Sequence, residues 1–289
     1  PSVQASPSSQ GWSVSLCALQ TPFWHCSGAQ GSEVSQVMAG CTSTVMTPDG
    51  KQLPPEEPAA TDPASRARQA GTLLELASLY FSRGELKTAL AEANRALGFK
   101  PDYAKAYSLR GLIHAAMGDN GRAEQDFQRA LELDPSDGDT LQAYGWFLCQ
   151  NGRYGPAEAQ FQAALAQPGY RTPALALRAM GTCQARDGRL PEAEASLQRS
   201  YQIDPANPAT AFNLADVLYR RGQYQKAQFY VDRINARPDQ ANAQSLWLGL
   251  KIEYKLGNRT QVQGLGSQLR SRYPLSPETL KYDQGRFDD

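Results

Sequence analysis

Small and apolar residues recur with one period along most of the chain, from Ala70 to Ser276. In each period a glycine is followed five positions later by alanine or valine. A period near 34 residues is the length of a helix–turn–helix unit in a solenoid. The pattern therefore predicts an all-α region of six stacked helix pairs. The marker glycines, spaced 34, 34, 36, 34 and 35 residues apart, are Gly84, Gly118, Gly152, Gly188, Gly222 and Gly257.

The other repeated positions fit two antiparallel helices joined by a tight turn. A small residue stands seven positions before each of the first five glycines, and helices approach closely only where side chains are small. The glycine suits the left-handed backbone that ends a first helix. Proline closes most units, because it cannot continue the second helix. The small residues are Ala77, Gly111, Gly145, Gly181 and Ala215, and the prolines are Pro101, Pro135, Pro205 and Pro274.

This arrangement resembles the tetratricopeptide repeat. Five units carry most of the pattern. The sixth is degenerate, with Leu250 and Gly266 where a small residue and a large apolar one are usual. The resemblance implies a right-handed superhelical solenoid of about six repeats. The predicted units are 70–103, 104–137, 138–173, 174–207, 208–242 and 243–276, followed by a C-terminal tail at 277–289.

The first 69 residues have a different composition and no helical period. They are rich in Ser, Gln, Gly, Pro and Thr, which predicts a disordered N-terminal segment. Residues 41–69 contain a proline-rich, charged stretch and are expected to form an extended tether. Residues 1–40 are a possible signal or leader region, although they match the pattern of a signal peptide poorly. They contain no Lys or Arg, and polar residues stand where the apolar core of a signal peptide would lie.

Within this segment Cys41 follows a run of small residues, Val37–Gly40, that resembles the lipobox of bacterial lipoproteins. A lipobox would make Cys41 the lipidated N-terminus after signal cleavage. Thr42, rather than Asp, after the cysteine would then imply sorting to the outer membrane. The alternative is a chance cysteine in a disordered tail, with the protein in the periplasm or the cytoplasm.

Composition bears on the class of function. The 29 basic and 29 acidic residues give a net charge of zero, so nucleic acid is not an expected partner. No nucleophile–base pair, metal-ligand cluster or cofactor motif appears, so we expect a non-enzymatic protein with no cofactor and no small-molecule substrate. His114 is expected in the core. Cys149 and Cys183 are expected to stay unbonded, because neighbouring repeat helices seldom bring two Cα atoms within about 7 Å.

The first helix of each tetratricopeptide unit lines a concave face, so four positions of each first helix are expected to face a groove. In the first two units these positions carry Leu74, Phe81 and Leu112, and Trp146 is the large aromatic residue of the middle. Exposed apolar surface in a groove suits a peptide or an amphipathic helix of a partner protein. The alternative is that these side chains pack against neighbouring helices.

The same rule places Cys149, Ala185 and Trp247 in the groove.

Some tetratricopeptide domains bind a C-terminal carboxylate with lysine, asparagine and arginine side chains. Here the corresponding positions are apolar or small, which disfavours binding of a chaperone tail; they carry Leu74, Ser78 and Leu112.

From Cys41 onward the chain resembles the PilF/PilW pilotin family of type IV pilus biogenesis lipoproteins. The resemblance rests on six repeats behind a candidate lipidated cysteine and on the sequences at 67–80, 144–149 and 177–181. It implies an outer-membrane lipoprotein that binds secretin subunits and promotes their localisation and assembly into the pilus pore. The alternative is a general tetratricopeptide adaptor for another protein complex. An enzyme with a regulatory solenoid is disfavoured, because no segment outside 70–276 is large enough for a catalytic domain.

Overall fold

The computed structural model describes residues 62–287, which form thirteen helices and no strand. The predictions for Cys41 and for residues 1–61 lie outside the described residues. The all-α prediction is confirmed. The helices are α1 (Pro63–Ser82), α2 (Leu86–Phe99), α3 (Ala104–Ala116), α4 (Asn120–Leu133), α5 (Gly138–Gln150), α6 (Tyr154–Ala166), α7 (Pro173–Arg186), α8 (Leu190–Ile203), α9 (Pro208–Arg220), α10 (Tyr224–Asn235), α11 (Ala243–Leu256), α12 (Arg259–Arg272) and α13 (Pro277–Asp283).

The first twelve helices pack as six consecutive pairs. From the second pair onward, each first helix starts within one residue of a predicted unit start. The first pair differs, because α1 begins at Pro63 inside the segment expected to be a tether. The Asp62 side chain accepts a hydrogen bond of 2.8 Å from the Ser65 N–H, and Pro63 occupies the first helical position. Both features favour a helix start at this point.

The marker glycines end the first helices in a left-handed conformation, as predicted. All six have φ between 73° and 81°. At the end of α1, the Glu85 N–H donates to the Tyr80 carbonyl and the Gly84 N–H donates to the Phe81 carbonyl, both at 3.0 Å. This pair of bonds satisfies carbonyl groups that the helix leaves without partners. The chain then reverses direction within a few residues and starts the second helix.

The small residues ahead of the marker glycines allow the two helices of a pair to touch. A Cβ added to Gly145 would lie 2.9 Å from the Phe161 ring, and one added to Gly181 would lie 2.7 Å from Leu197 Cγ. Phe161 and Leu197 are fully buried, so neither has room to move away. The close approach predicted from the sequence is confirmed at both positions.

The helices form two rows with different packing. The first helices of neighbouring units contact one another, from α1 with α3 through to α9 with α11. Among the described residues the second helices of neighbouring units lie farther apart, although α8 and α10 still meet through the Tyr201 and Tyr230 rings, whose centroids are 5.0 Å apart. A stack whose first helices lie closer together than its second helices must curve towards the first helices. We call the face formed by α1, α3, α5, α7, α9 and α11 the inner face.

Two residues that look degenerate in the sixth unit have a structural explanation. A Cβ added to Gly266 on α12 would overlap the Tyr282 ring, so glycine is needed for α13 to dock. Leu250 is fully buried in a cluster with Leu246 and Leu269. The sixth pair therefore packs against α13 instead of against a seventh repeat.

The expectation that Cys149 and Cys183 stay unbonded was wrong. They form a disulfide, with the two Cα atoms 5.8 Å apart. Cys149 lies on α5 and Cys183 on α7, which are neighbours on the inner face. The direct contact of first helices brings the two Cα atoms into bonding range, although the cysteines are 34 residues apart in sequence.

Candidate partner-binding groove

The four residues predicted to line the groove all lie on helices of the inner face and are half-buried. Leu112 and Trp146 pack against one hydrophobic cluster, the one that contains Phe127 and Phe147. Leu74 and Phe81 pack against two further clusters of the first two units. Each side chain is therefore held by the core on one side and reaches solvent on the other.

Trp146 has a charged neighbour from the next unit. The guanidinium of Arg186, at the end of α7, lies 5.0 Å from the centre of the Trp146 ring. A positively charged guanidinium is attracted to the electron-rich face of an aromatic ring. In this position its N–H groups can still donate hydrogen bonds to a ligand. This contact places a cation beside the largest aromatic side chain predicted for the groove.

Three of the positions expected to face the groove are buried. Cys149 is held in the disulfide, and Ala185 packs in the core cluster of units 4 to 6. Trp247 is only 7% exposed, because the C-terminal segment brings the Phe287 ring over it, with the two ring centroids 6.0 Å apart. The repeat pattern could not show this, because the cover comes from residues beyond the last repeat.

The later units place charged groups on the inner face. The Arg220 guanidinium on α9 donates a 3.1 Å hydrogen bond to the Ala185 carbonyl at the end of α7. The Lys251 ammonium on α11 lies 4.9 Å from the centre of the Tyr219 ring on α9. Burial raises the pKa of the half-buried Asp216, while Arg220 and Lys251 act in the opposite direction. The inner face therefore carries charged and polar groups at this end.

One feature of the groove was missed from the sequence although the repeat contains a signal for it. The last turns of α7, α9 and α11 carry Arg186, Arg220 and Lys255. We call these three residues the basic edge. The equivalent positions of the first three units are uncharged: Ser82, Ala116 and Gln150.

His114 lies in the core, as expected, with 6% of its surface exposed. Asp126 accepts two hydrogen bonds from Arg110, at 2.8 and 2.7 Å, and its carboxylate lies 3.8 Å from His114 Nε2. This network joins the two helices of the second unit. Burial is the largest influence on the pKa of His114 and lowers it.

Within residues 62–287 no group of three or more His, Cys, Asp or Glu residues could hold a metal ion. None of the helices described there is both long and apolar enough to cross a membrane.

The fold and the inner face together define a helical repeat scaffold with a candidate binding groove. Residues 65–237 match the tetratricopeptide repeat family, and the chain belongs to that family. Among known proteins it is homologous to the type IV pilus assembly protein PilF of Pseudomonas aeruginosa. The two are 26% identical over 227 residues, which cover 78% of this chain and 89% of that protein.

Two solved structures of type IV pilus proteins are also similar. The crystal structure of PilW, described as a widely conserved type IV pilus biogenesis factor, has a TM-score of 0.69 at 31% identity. The match covers 73% of this chain and 97% of that one. The structure of Pseudomonas aeruginosa PilF has a TM-score of 0.68 at 24% identity, covers 76% and 99% of the two chains, and supports the fold.

Proposed function

We propose that the chain is a pilotin of type IV pilus biogenesis. In this proposal it binds secretin subunits at the outer membrane and promotes their localisation and multimerisation. The observation that carries the proposal is the row of half-buried apolar side chains on the inner face, Leu74, Phe81 and Leu112. The similarity to proteins named for pilus assembly and pilus biogenesis supports the choice of partner.

The disulfide supports a location outside the cytoplasm. Cys149 and Cys183 are both nearly fully buried and joined across two units. Disulfides of this structural kind persist in oxidising compartments such as the bacterial periplasm and are rare in the cytosol. A periplasmic protein anchored to the outer membrane through a lipid on Cys41 fits that requirement.

The proposed mechanism is transient shielding of an apolar secretin segment. Fully burying three apolar side chains would contribute roughly 1.5–3 kcal/mol each. Their partial burial in the free protein reduces that gain, and ordering the bound segment reduces it further. The net affinity would suit a carrier that holds a monomeric subunit and then releases it into the multimer.

The first experiment is a titration of purified secretin subunits with the wild-type protein and two charge variants. Phe81→Glu places a carboxylate in the apolar part of the groove and should weaken binding at least about tenfold, because burying that charge is costly. Phe229→Glu is the matched control, since Phe229 lies on α10, a second helix outside the inner face, and is 55% exposed. Thermal unfolding of each variant checks that the fold is retained.

The result separates a pilotin from a general adaptor. Loss of binding in Phe81→Glu alone, together with accumulation of secretin monomers in cells that carry this variant, supports the proposal. Equal binding by both variants would mean that the groove assignment is wrong. Absence of secretin binding by the wild type would leave the general adaptor, whose partner must then be found by pull-down.

The lipid anchor needs a separate test. The mass of the mature N-terminal peptide shows whether Cys41 carries acyl chains. A Cys41→Ala variant should lose the lipid and move from the outer-membrane fraction to the periplasm. A wild-type peptide with an unmodified Cys41 would remove the anchor from the proposal and leave the groove untouched.

A further inference from the structure

A cavity of about 790 Å³ lies at the seam between units 5 and 6. Most of its lining comes from the second helices α10 and α12, and the end of α11 completes it. Because α10 and α12 lie outside the inner face, the cavity is separate from the groove. Its volume falls within the range of pockets that hold ligands. We call it the seam cavity.

The seam cavity is open because two aromatic positions of the repeat carry smaller residues here. In the preceding seam, between units 4 and 5, Tyr201 and Tyr230 meet edge to face with their ring centroids 5.0 Å apart. Counted from the marker glycines, the same positions at this seam carry Asn235 and Leu265, which line the cavity. The Asn235 side chain donates to the Ser245 carbonyl at 3.1 Å and accepts from the Ser245 hydroxyl at 2.7 Å. Asn235 is therefore held against α11 and does not fill the space that a ring occupies in the preceding seam.

A buried carboxylate forms one wall of the seam cavity. Glu253 on α11 is only 4% exposed. Its carboxylate accepts hydrogen bonds of 2.6 Å from the side-chain amides of Gln228 and Asn258, which also line the cavity. Both donors are neutral, and within residues 62–287 no basic side chain pairs with Glu253. A buried negative charge without a cation beside it is costly, so this wall favours a positively charged occupant.

A second acidic residue strengthens that preference. Asp232 on α10 lines the same cavity. Loss of solvent around its carboxyl group raises the pKa of Asp232, and the Glu253 carboxylate raises it further. Of the described residues on the lining, Arg259 alone is basic; it is exposed and is paired with neither carboxylate. The lining therefore has two carboxylates and one guanidinium.

Two simpler explanations account for only part of these observations. Glu253 helps to join α10 to the turn of the last repeat through its two hydrogen bonds, but this role does not require an open cavity or a second carboxylate. A metal ion needs far less space than this cavity offers, and the described part of the chain provides no group of three acidic, His or Cys ligands here.

We infer that the seam cavity binds an arginine side chain of a partner protein segment. The guanidinium donates to the carboxylates of Glu253 and Asp232, and the aliphatic part of the side chain packs against Leu265. Arginine suits the site better than lysine, because its guanidinium is less strongly hydrated and offers five donors in a plane. The exposed polar side chains of Thr260 and Gln261 are available to the backbone on either side of the arginine. The site lies outside the groove and does not depend on the proposed function.

The test is an NMR titration of the full chain with two pentapeptides. One has arginine between two pairs of glycines, and the other has citrulline, a neutral residue of nearly the same shape. The arginine peptide should shift the side-chain amide signals of Gln228 and Asn258 and bind at least about tenfold more tightly than the citrulline peptide. This is the scale of hydrogen bonds to a charged group.

Two pairs of variants separate the effect of charge from the effect of space. Glu253→Gln should abolish the preference for arginine, whereas the control Glu192→Gln, exposed on α8, should keep it. Gln261→Trp obstructs the cavity without a change of charge and should weaken binding of the arginine peptide at least about tenfold. Its control, Gln263→Trp, lies exposed on the same helix but not on the lining and should bind normally. Thermal unfolding checks that each variant is folded.

The outcomes are distinguishable from those of the secretin titration, because no variant in this test changes the inner face. Equal binding of the two peptides by the wild type, binding of neither, or the same loss in a variant and its control would overturn the inference. Shifts of the same amide signals by calcium alone would assign the cavity to a metal ion. Agmatine that binds as tightly as the arginine peptide would assign it to a free organic cation and reject the protein partner.

Discussion

At the residue scale, the fold depends on positions where a single carbon atom does not fit. Gly145 and Gly181 lie where a first helix crosses its second helix, against side chains that are fully buried. Gly264 on α12 has no atom within 4 Å of its missing Cβ. Glycine is therefore required where two helices cross, and a larger residue fits at Gly264.

This contrast gives a prediction for alanine substitutions. Gly181→Ala should lower the free energy of unfolding by about 1–3 kcal/mol, because the new methyl group overlaps Leu197 in a packed core. Gly264→Ala should be neutral or raise it by up to about 1 kcal/mol, since alanine is the better helix former. Urea unfolding of both variants measures the two effects, and equal stability of the two would contradict the packing argument.

His114 gives a prediction for pH. Burial lowers its pKa below the usual 6.5, with Arg110 and Arg122 adding to the lowering and Asp126 and Asp119 opposing it. The unfolded chain therefore binds the proton more readily than the folded one. The free energy of unfolding should fall as pH drops below about 6.5 and should level off once pH is below the lower pKa of the folded state, where both states bind the proton.

The control for the pH prediction is His114→Gln, which keeps a polar group and cannot take up the proton. Urea unfolding between about pH 7.5 and pH 5 should give a flatter profile for this variant than for the wild type. Parallel profiles would show that His114 does not contribute to the acid sensitivity of the fold.

At the element scale, side-chain hydrogen bonds help to join neighbouring units. A glutamate on a second helix accepts a hydrogen bond from the turn of the next unit in three successive places. These contacts are exposed or only partly buried, and solvent screening keeps the contribution of each one to stability small. The pairs are Glu124 with Arg153 at 2.6 Å, Glu158 with Arg189 at 2.7 Å, and Glu194 with Gln223 at 3.3 Å.

The covalent link between α5 and α7 has a larger predicted effect. Replacing Cys149 and Cys183 by alanine should lower the free energy of unfolding by about 2–4 kcal/mol, because the unfolded chain regains the freedom of the loop that the disulfide closes. Dithiothreitol should destabilise the wild type by a similar amount and leave the double variant unchanged. Equal stability of the wild type with and without reductant would contradict this prediction.

At the scale of the whole molecule, a solenoid lacks contacts between distant units, so damage at one end should stay local. Tyr282→Ala removes the ring that covers Gly266 and should destabilise the C-terminal end by about 2 kcal/mol or more. Amide hydrogen exchange should become faster in α11, α12 and α13 and stay unchanged in units 2 to 4.

The matched control for the C-terminal end is Leu280→Ala on the same helix. Leu280 is 59% exposed, so its truncation should leave exchange in the sixth unit close to that of the wild type. Faster exchange throughout the chain in Tyr282→Ala would show that the molecule opens as one cooperative unit.

The amino-acid sequence was sufficient to predict the helix pairs, their turns and the tetratricopeptide class. These features depend on contacts inside one unit, and such contacts repeat with the period of the sequence. The same logic placed Leu74, Phe81, Leu112 and Trp146 on helices of the inner face. It failed at α1, because the helix start at Pro63 lies outside the repeat.

The tertiary structure decided what happens between units and at the ends. The angle at which one unit packs on the next brings Cys149 within bonding range of Cys183 and directs Arg186 over Trp146. Residues beyond the last repeat bury Trp247. A sequence period describes each unit by itself. The distance between side chains of different units depends on how the helices stack, which no single unit specifies.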